Sequence, residues 1–127
     1  MTAANKDLIQ RALTVLLETR DTGALAPFLS NDFVHHRPGG FRHSKAEWLD
    51  AVGAALEPLA DMQVEIRHLL ADDDRVVMYS RRTLPAAEIE VVDIWRIDDG
   101  LIAEGWEVLE PAAQVAANQT WWEPSAA

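Results

Sequence analysis

Asp93 sits in the wrong company. It interrupts the run Ile89-Glu90-Val91-Val92-Asp93-Ile94-Trp95-Arg96-Ile97, which is otherwise rich in β-branched and aromatic residues. In a strand side chains alternate, so Ile89, Val91, Asp93, Trp95 and Ile97 share one face. A carboxylate between Val91 and Trp95 is costly if it is ionised and unpaired. Such a group takes a partner or keeps its proton, and a raised carboxyl pKa is what acid/base chemistry near neutral pH requires. The structural alternative is a buried Asp paired with Arg81 or Arg82 on the preceding strand, because ion pairs leave the same pattern.

The other candidate groups divide by geometry. His35, His36 and His43 invite a metal, but neighbours on a strand face opposite sides, and zinc needs three or four converging ligands. No metal site is therefore expected. Alternation alone leaves open which of His35 and His36 faces inward. His68 shares an alternating set with Met62, Val64, Ile66 and Leu70, which makes it a core or interface histidine. Five tryptophans fall in a short chain. Trp48 lies at helical spacing and reads as core. The Trp121-Trp122 pair would be costly to expose, so it should close a pocket or lie buried in an interface.

These groups need elements to hold them. Apolar residues from Leu8 to Leu17 recur at helical spacing, giving an amphipathic helix over about residues 5–20. Thr22-Gly23 breaks it, and a short helix follows from Ala24 to Leu29. Asp32 to His36 reads as extended, and Arg37-Pro38-Gly39-Gly40 as a loop. Ser44-Lys45-Ala46-Glu47 has the form of a capping box, opening a helix that stops near Pro58. From Asp61 the period becomes two: strands run over 62–70, 76–84, 89–97 and 101–109. Asp72-Asp73-Asp74 and Asp98-Asp99-Gly100 make the turns. Helices first and meandering strands after signal an α+β domain with the helices on one face of the sheet.

Composition narrows the partners. The 127 residues make one domain, 1–127, with 112–127 a C-terminal tail. A formal charge of −10 argues against nucleic acid and anionic membrane surfaces. With no cysteine there is no disulfide, thiolate metal site or thiol nucleophile. No apolar run approaches a membrane span, and the first residues lack a secretory pattern, so a cytoplasmic location is the expectation.

The stretch from Val92 to Trp106, Val-Asp-Ile-Trp-Arg-Ile-Asp-Asp-Gly-Leu-Ile-Ala-Glu-Gly-Trp, resembles the SnoaL-like polyketide cyclase family, which reads roughly V-D-I-F-R-x-x-x-G-K-I-x-E-H-W there. Phe33-Val34-His35-His36-Arg37-Pro38 is similar to its aromatic-x-x-H-N-P segment, and Asp74 to Tyr79 to its G-D-x-V-x-x-H strand. The ending Ala116 to Trp121 is similar to that of a branch of predicted aldol-condensation enzymes. The resemblance implies the nuclear-transport-factor-2-like superfamily and its cone-shaped roll, three N-terminal helices on a strongly curved, mostly antiparallel sheet. It also implies a homodimer through the sheet's outer face, in keeping with apolar residues on both faces of the strand over 89–97.

Residue by residue, the resemblance puts Asp93 on the acid/base aspartate and His36 on a histidine at the pocket mouth. Tyr79 falls where cyclases carry a polar partner. Trp95, Trp106, Phe33 and Trp121 would line or close an apolar pocket, and Glu104 opens the E-x-W motif. Two departures stand out: Gly105 replaces the histidine of E-H-W, and Arg37 replaces the asparagine of H-N-P. The expectation is a small enzyme that needs no metal or organic cofactor and acts on an apolar carbonyl compound as an aldol-type cyclase, isomerase or dehydratase. The alternatives are a domain of the same fold that binds a hydrophobic ligand without turnover, or one that binds another protein.

Overall fold

The computed structural model describes residues 2–85 and 87–109. Helix α1 spans Thr2–Thr19, and α2 spans Thr22–Leu25 with the Asp21 side chain capping it at Gly23 N. A 3₁₀ turn over Ala26–Phe28, with Pro27 in its first positions, leads into strand β1, Leu29–Arg37. Strand β2, Phe41–Ser44, runs straight into helix α3, Lys45–Leu56. The meander follows: β3 Gln63–Asp72, β4 Arg75–Leu84, β5 Ala87–Asp98 and β6 Leu101–Leu109. The expected capping box is present, with Ser44 Oγ accepting from Glu47 N and Glu47 Oε1 accepting from Ser44 N. At the last hairpin Asp99 and Gly100 both take positive φ, 52° and 76°, the combination a two-residue turn between twisted strands needs.

The six strands form one curled, open sheet in the order β2-β1-β6-β5-β4-β3, antiparallel throughout except for the β1–β6 pair. Helix α1 covers β3 and β4 on the inner face, and α3 covers β1. Leu8, Ile9 and Ala12 of α1 join Leu25, Leu29, Phe33, Val76, Met78, Ile97 and Ile102 in one buried core. The α+β reading and the helix-on-sheet layering hold. Two local expectations do not. The segment after Gly40 forms β2 before the capping box, lengthening the sheet by an edge strand. In β3 the register slips between Ile66 and His68. A bulge puts an extra residue on one strand and turns the following side chains over. Leu69 and Ala71 therefore pair with inward Met78 and Val76, while His68 pairs with Tyr79 and is exposed. His68 is thus an outer-face residue stacked on the Tyr79 ring at 5.8 Å, and not a core histidine.

Candidate active site

The alternation along β5 sends Val91, Asp93 and Ile97 inward as buried side chains, with Trp95 between the last two. Asp93 is 2% exposed. Across the sheet its Cα partners are Met78 on β4 and Glu107 on β6. A single side-chain hydrogen bond reaches the carboxylate among the described residues: Arg82 Nη2 donates to Oδ2 at 3.3 Å. The other terminal nitrogen of Arg82 lies 3.7 Å from Glu107 Oε2, and Arg37 Nε lies 3.5 Å from Glu107 Oε1. Removal from water raises the Asp93 pKa to about 7, the Glu107 charge adding to the rise and Arg82 opposing it. At neutral pH both the protonated and the ionised form of the carboxyl are populated.

His35 on β1 is 1% exposed and shares this interior. Its ring stacks on Trp48 of α3 at 5.0 Å and tilts against Trp95 at 5.9 Å, and Trp48 meets Trp95 edge-on at 6.1 Å. Burial first, then the charges of Arg37, His43, His36 and Arg82, lowers its pKa to about 4. The imidazole is neutral at pH 7, with Nδ1 buried and without a hydrogen-bond partner among the described residues. The Trp95 indole nitrogen and Arg82 Nε share that condition. Buried donors without acceptors are uncommon, and in a cavity they are available to a ligand oxygen.

These side chains line one cavity of about 260 Å³. Its polar end is Asp93, Glu107, Arg82, Arg37 and His35, beside the indoles of Trp48 and Trp95. The rest is apolar, from Ile9, Leu13 and Leu16 of α1, Val52 and Ala55 of α3, and Met62 and Val64, with the exposed Arg20 at the rim. Gly105 shapes the wall. A Cβ there would stand 2.4 Å from Trp95 Cζ3 and 3.0 Å from His35 Cδ2. The bare glycine lets the Trp95 ring lie flat across β6, in the space a side chain at position 105 would fill.

Asp93 and Trp95 both line the cavity. Phe33 faces inward but packs behind the wall against Trp48 at 5.0 Å, outside the cavity lining. Four expected site residues lie on the opposite face. His36 Nε2 is 2.6 Å from Glu104 Oε2, which Arg96 also holds, and the His36 ring stacks on Trp106 at 5.3 Å. Burial alone would raise the Glu104 pKa, but its bonds to His36 and Arg96 prevail and lower it. Tyr79 lies against Glu90, and hydrogen bonding to that carboxylate pushes the phenol pKa up. The reason for the correction is the pleat: β1 turns Phe33 and His35 inward, so His36 must point out. Phe33 was the available signal, since a buried aromatic two positions away marks His35 as the inward histidine. Trp121 lies outside the described residues. His35, Glu107 and the inward Arg37 are the residues the sequence reading did not place at the site. Among the described residues no group of three or more His, Asp or Glu side chains is placed to hold a metal ion.

The fold has close structural relatives. A proposed ketosteroid isomerase from Kribbella flavida superposes with a TM-score of 0.75 at 22% identity, over 87% of this chain and 81% of that one. A proposed hydroxylase from Streptomyces galilaeus gives 0.75 at 19% identity, over 92% and 85%. A proposed polyketide cyclase from Streptomyces antibioticus gives 0.68 at 18% identity, over 84% and 95%. Their differing names show that the likeness is one of fold, the nuclear-transport-factor-2-like roll, more than of reaction. No curated protein matches the sequence. The SnoaL-like domain family matches residues 9–105, most of the helices and all of the sheet up to Gly105, and this chain belongs to that family.

Proposed function

We propose that the protein is a cofactor-independent enzyme in which Asp93 abstracts and returns a proton on an apolar carbonyl compound. The observation that carries this reading is the Asp93 carboxyl itself. It is buried, faces a cavity, is held by one long hydrogen bond, and has a pKa of about 7. A base poised near the working pH balances availability against proton affinity. The indole N–H of Trp95 and the Arg82 Nε–H, both without a partner among the described residues, are donors for the oxygen on which negative charge develops. Neutral His35 serves the same oxygen or its hydroxyl. The apolar walls and modest volume suit a compact hydrophobic substrate, since small-molecule sites commonly measure about 300–1,000 Å³.

The test is α-proton exchange of an enolisable apolar ketone such as α-tetralone in D₂O, followed by NMR. Asp93→Asn should lower the protein-catalysed rate by about 10²–10⁴-fold. A wild-type protein that does not exceed buffer across a ketone panel, or an Asp93→Asn variant as fast as wild type, would end the proposal. The Arg82 contact favours a second reading, in which the cavity binds a hydrophobic ligand and Asp93 is structural. That reading predicts ligand binding unchanged by Asp93→Asn and no exchange by either protein. A homodimer through the outer face belongs to the same proposal, supported by Leu70 and Val108, which are 63% and 57% exposed there. Light scattering that returns the mass of one chain would refute it.

A further inference from the structure

Two carboxylates face each other where one would suffice. Asp93 and Glu107 are directly opposed across β5 and β6 on the inner face, an arrangement that costs stability between like charges. Arg82 reaches both from β4: Nη2 donates to Asp93 at 3.3 Å, Nη1 lies at an ion-pair distance of 3.7 Å from Glu107, and Nε, though buried, has no hydrogen-bond partner among the described residues. A guanidinium grips a single carboxylate best with two parallel N–H bonds at about 2.7–2.9 Å. Here neither acid receives that grip. On its far side Glu107 Oε1 lies 3.5 Å from Arg37 Nε, an ion-pair distance with no hydrogen bond among the described residues, and the Arg37 side chain is 42% exposed against 12% for Glu107. The order Arg37–Glu107–Arg82–Asp93 therefore runs from the half-exposed strand end to the buried acid.

We propose that Glu107 is a positioning residue: tethered by Arg37, it holds one side of Arg82 and so denies Asp93 a two-nitrogen clamp. This rests on the reading of Asp93 as the base, and it explains how a base survives beside an arginine. Without Glu107, Arg82 turns both nitrogens to Asp93 and the acid becomes the structural half of an ion pair. Among the described residues the groups that face Asp93 are few. Arg82 comes from β4, Glu107 from β6, and His35 and Arg37 line the same end of the cavity from β1. The helices covering it add apolar side chains, with Arg20 at the rim. Arg82 and Glu107 are the main charges that act on the Asp93 proton, in opposite senses, and Arg37 lies against Glu107.

Carboxyl ¹³C NMR follows the Asp93 titration directly, its signal identified by loss in Asp93→Asn. Glu107→Gln should lower the Asp93 midpoint by about one pH unit or more, because a repulsive charge is lost and a clamp is gained. Arg37→Gln should move it upward, because the Glu107 carboxylate, no longer offset by Arg37, acts more strongly on Asp93 and draws Arg82 toward itself. The pH at which ketone exchange is half-maximal should follow both shifts. Midpoints that stay put, or that both fall toward the ordinary aspartate range as in a loosened fold, would overturn the proposal. If Glu107→Gln does not fold, Arg37→Gln decides alone from its half-exposed position: an upward shift supports the proposal, and no shift or a downward one overturns it. Opposite shifts in a protein whose Asp93→Asn variant still exchanges protons would keep the positioning role and remove the base reading.

Discussion

His35 and His36 are neighbours on one strand and live in different solvents. His36 lies on the outer face, stacked on Trp106 and bonded to Glu104, with Arg96 completing the group and Arg75 lying over the indole at 5.5 Å. His35 lies among aromatic rings with no partner for Nδ1 among the described residues and a pKa driven down to about 4. The same contrast holds for the acids. Glu90 and Glu104 on the outer face have partners that hold their pKa down, whereas inner Asp93 is pushed up to about 7. Paired charges at a wet surface build a sheet. Under-paired groups in a dry cavity hold free energy that a ligand or a proton can release.

The largest effects that would break this contrast are proton-linked. Between pH 3.8 and about 7 the folded chain keeps an Asp93 proton that the unfolded chain has lost, so Asp93 makes stability fall as pH rises through that window. The full difference is on the order of 4 kcal/mol. His35 acts oppositely: between 6.5 and about 4 the unfolded chain takes a proton the folded chain refuses, so stability falls as pH drops. That difference is on the order of 3 kcal/mol. The two slopes largely cancel in the wild type. Single variants expose them: relative to wild type, the Tm of Asp93→Asn should climb from pH 4 to 8, and that of His35→Gln should climb as pH falls from 7 to 4. A Tm difference independent of pH in either variant would erase the distinction between the faces.

A smaller effect belongs to packing. Gly105→Ala forces the Trp95 ring off β6, and overpacking of this kind costs about 1–3 kcal/mol. In α3, by contrast, a Cβ at Gly53 meets only Thr22 Cγ2 at 3.6 Å, so Gly53→Ala should be neutral or stabilise by roughly 0.5–1 kcal/mol. Thermal unfolding of the two variants side by side checks both, and equal behaviour would mean that Trp95 yields freely. At the outer face His36→Gln should cost no more than about 1 kcal/mol, as partly solvated ion pairs do.

Much of this was legible in the residues. Strand β6, the capping box at Ser44 and the Asp99-Gly100 turn follow from local chemistry and stand where the patterns put them. Asp93 was legible because a single acid breaks an otherwise apolar face. What depends on register was not. The bulge after Ile66 leaves no mark in composition, yet it turns His68 and Leu70 outward. Arg82 was legible as one of two candidate partners for Asp93, but Glu107 meets it from β6, and only the pairing offset brings that second acid opposite. Gly105 reads in the sequence as a missing histidine. In the fold it is a seat for an indole, because the neighbouring strand carries Trp95 opposite it.

The Trp48–Trp95 contact has an optical consequence. Both indoles belong to the cavity wall, next to a neutral imidazole, so their emission depends on what occupies the cavity and on the His35 proton. Trp106 reports from the other side of the sheet, beneath Arg75. The protein thus carries its own gauge of occupancy, and candidate ligands can be ranked by fluorescence before any turnover is known.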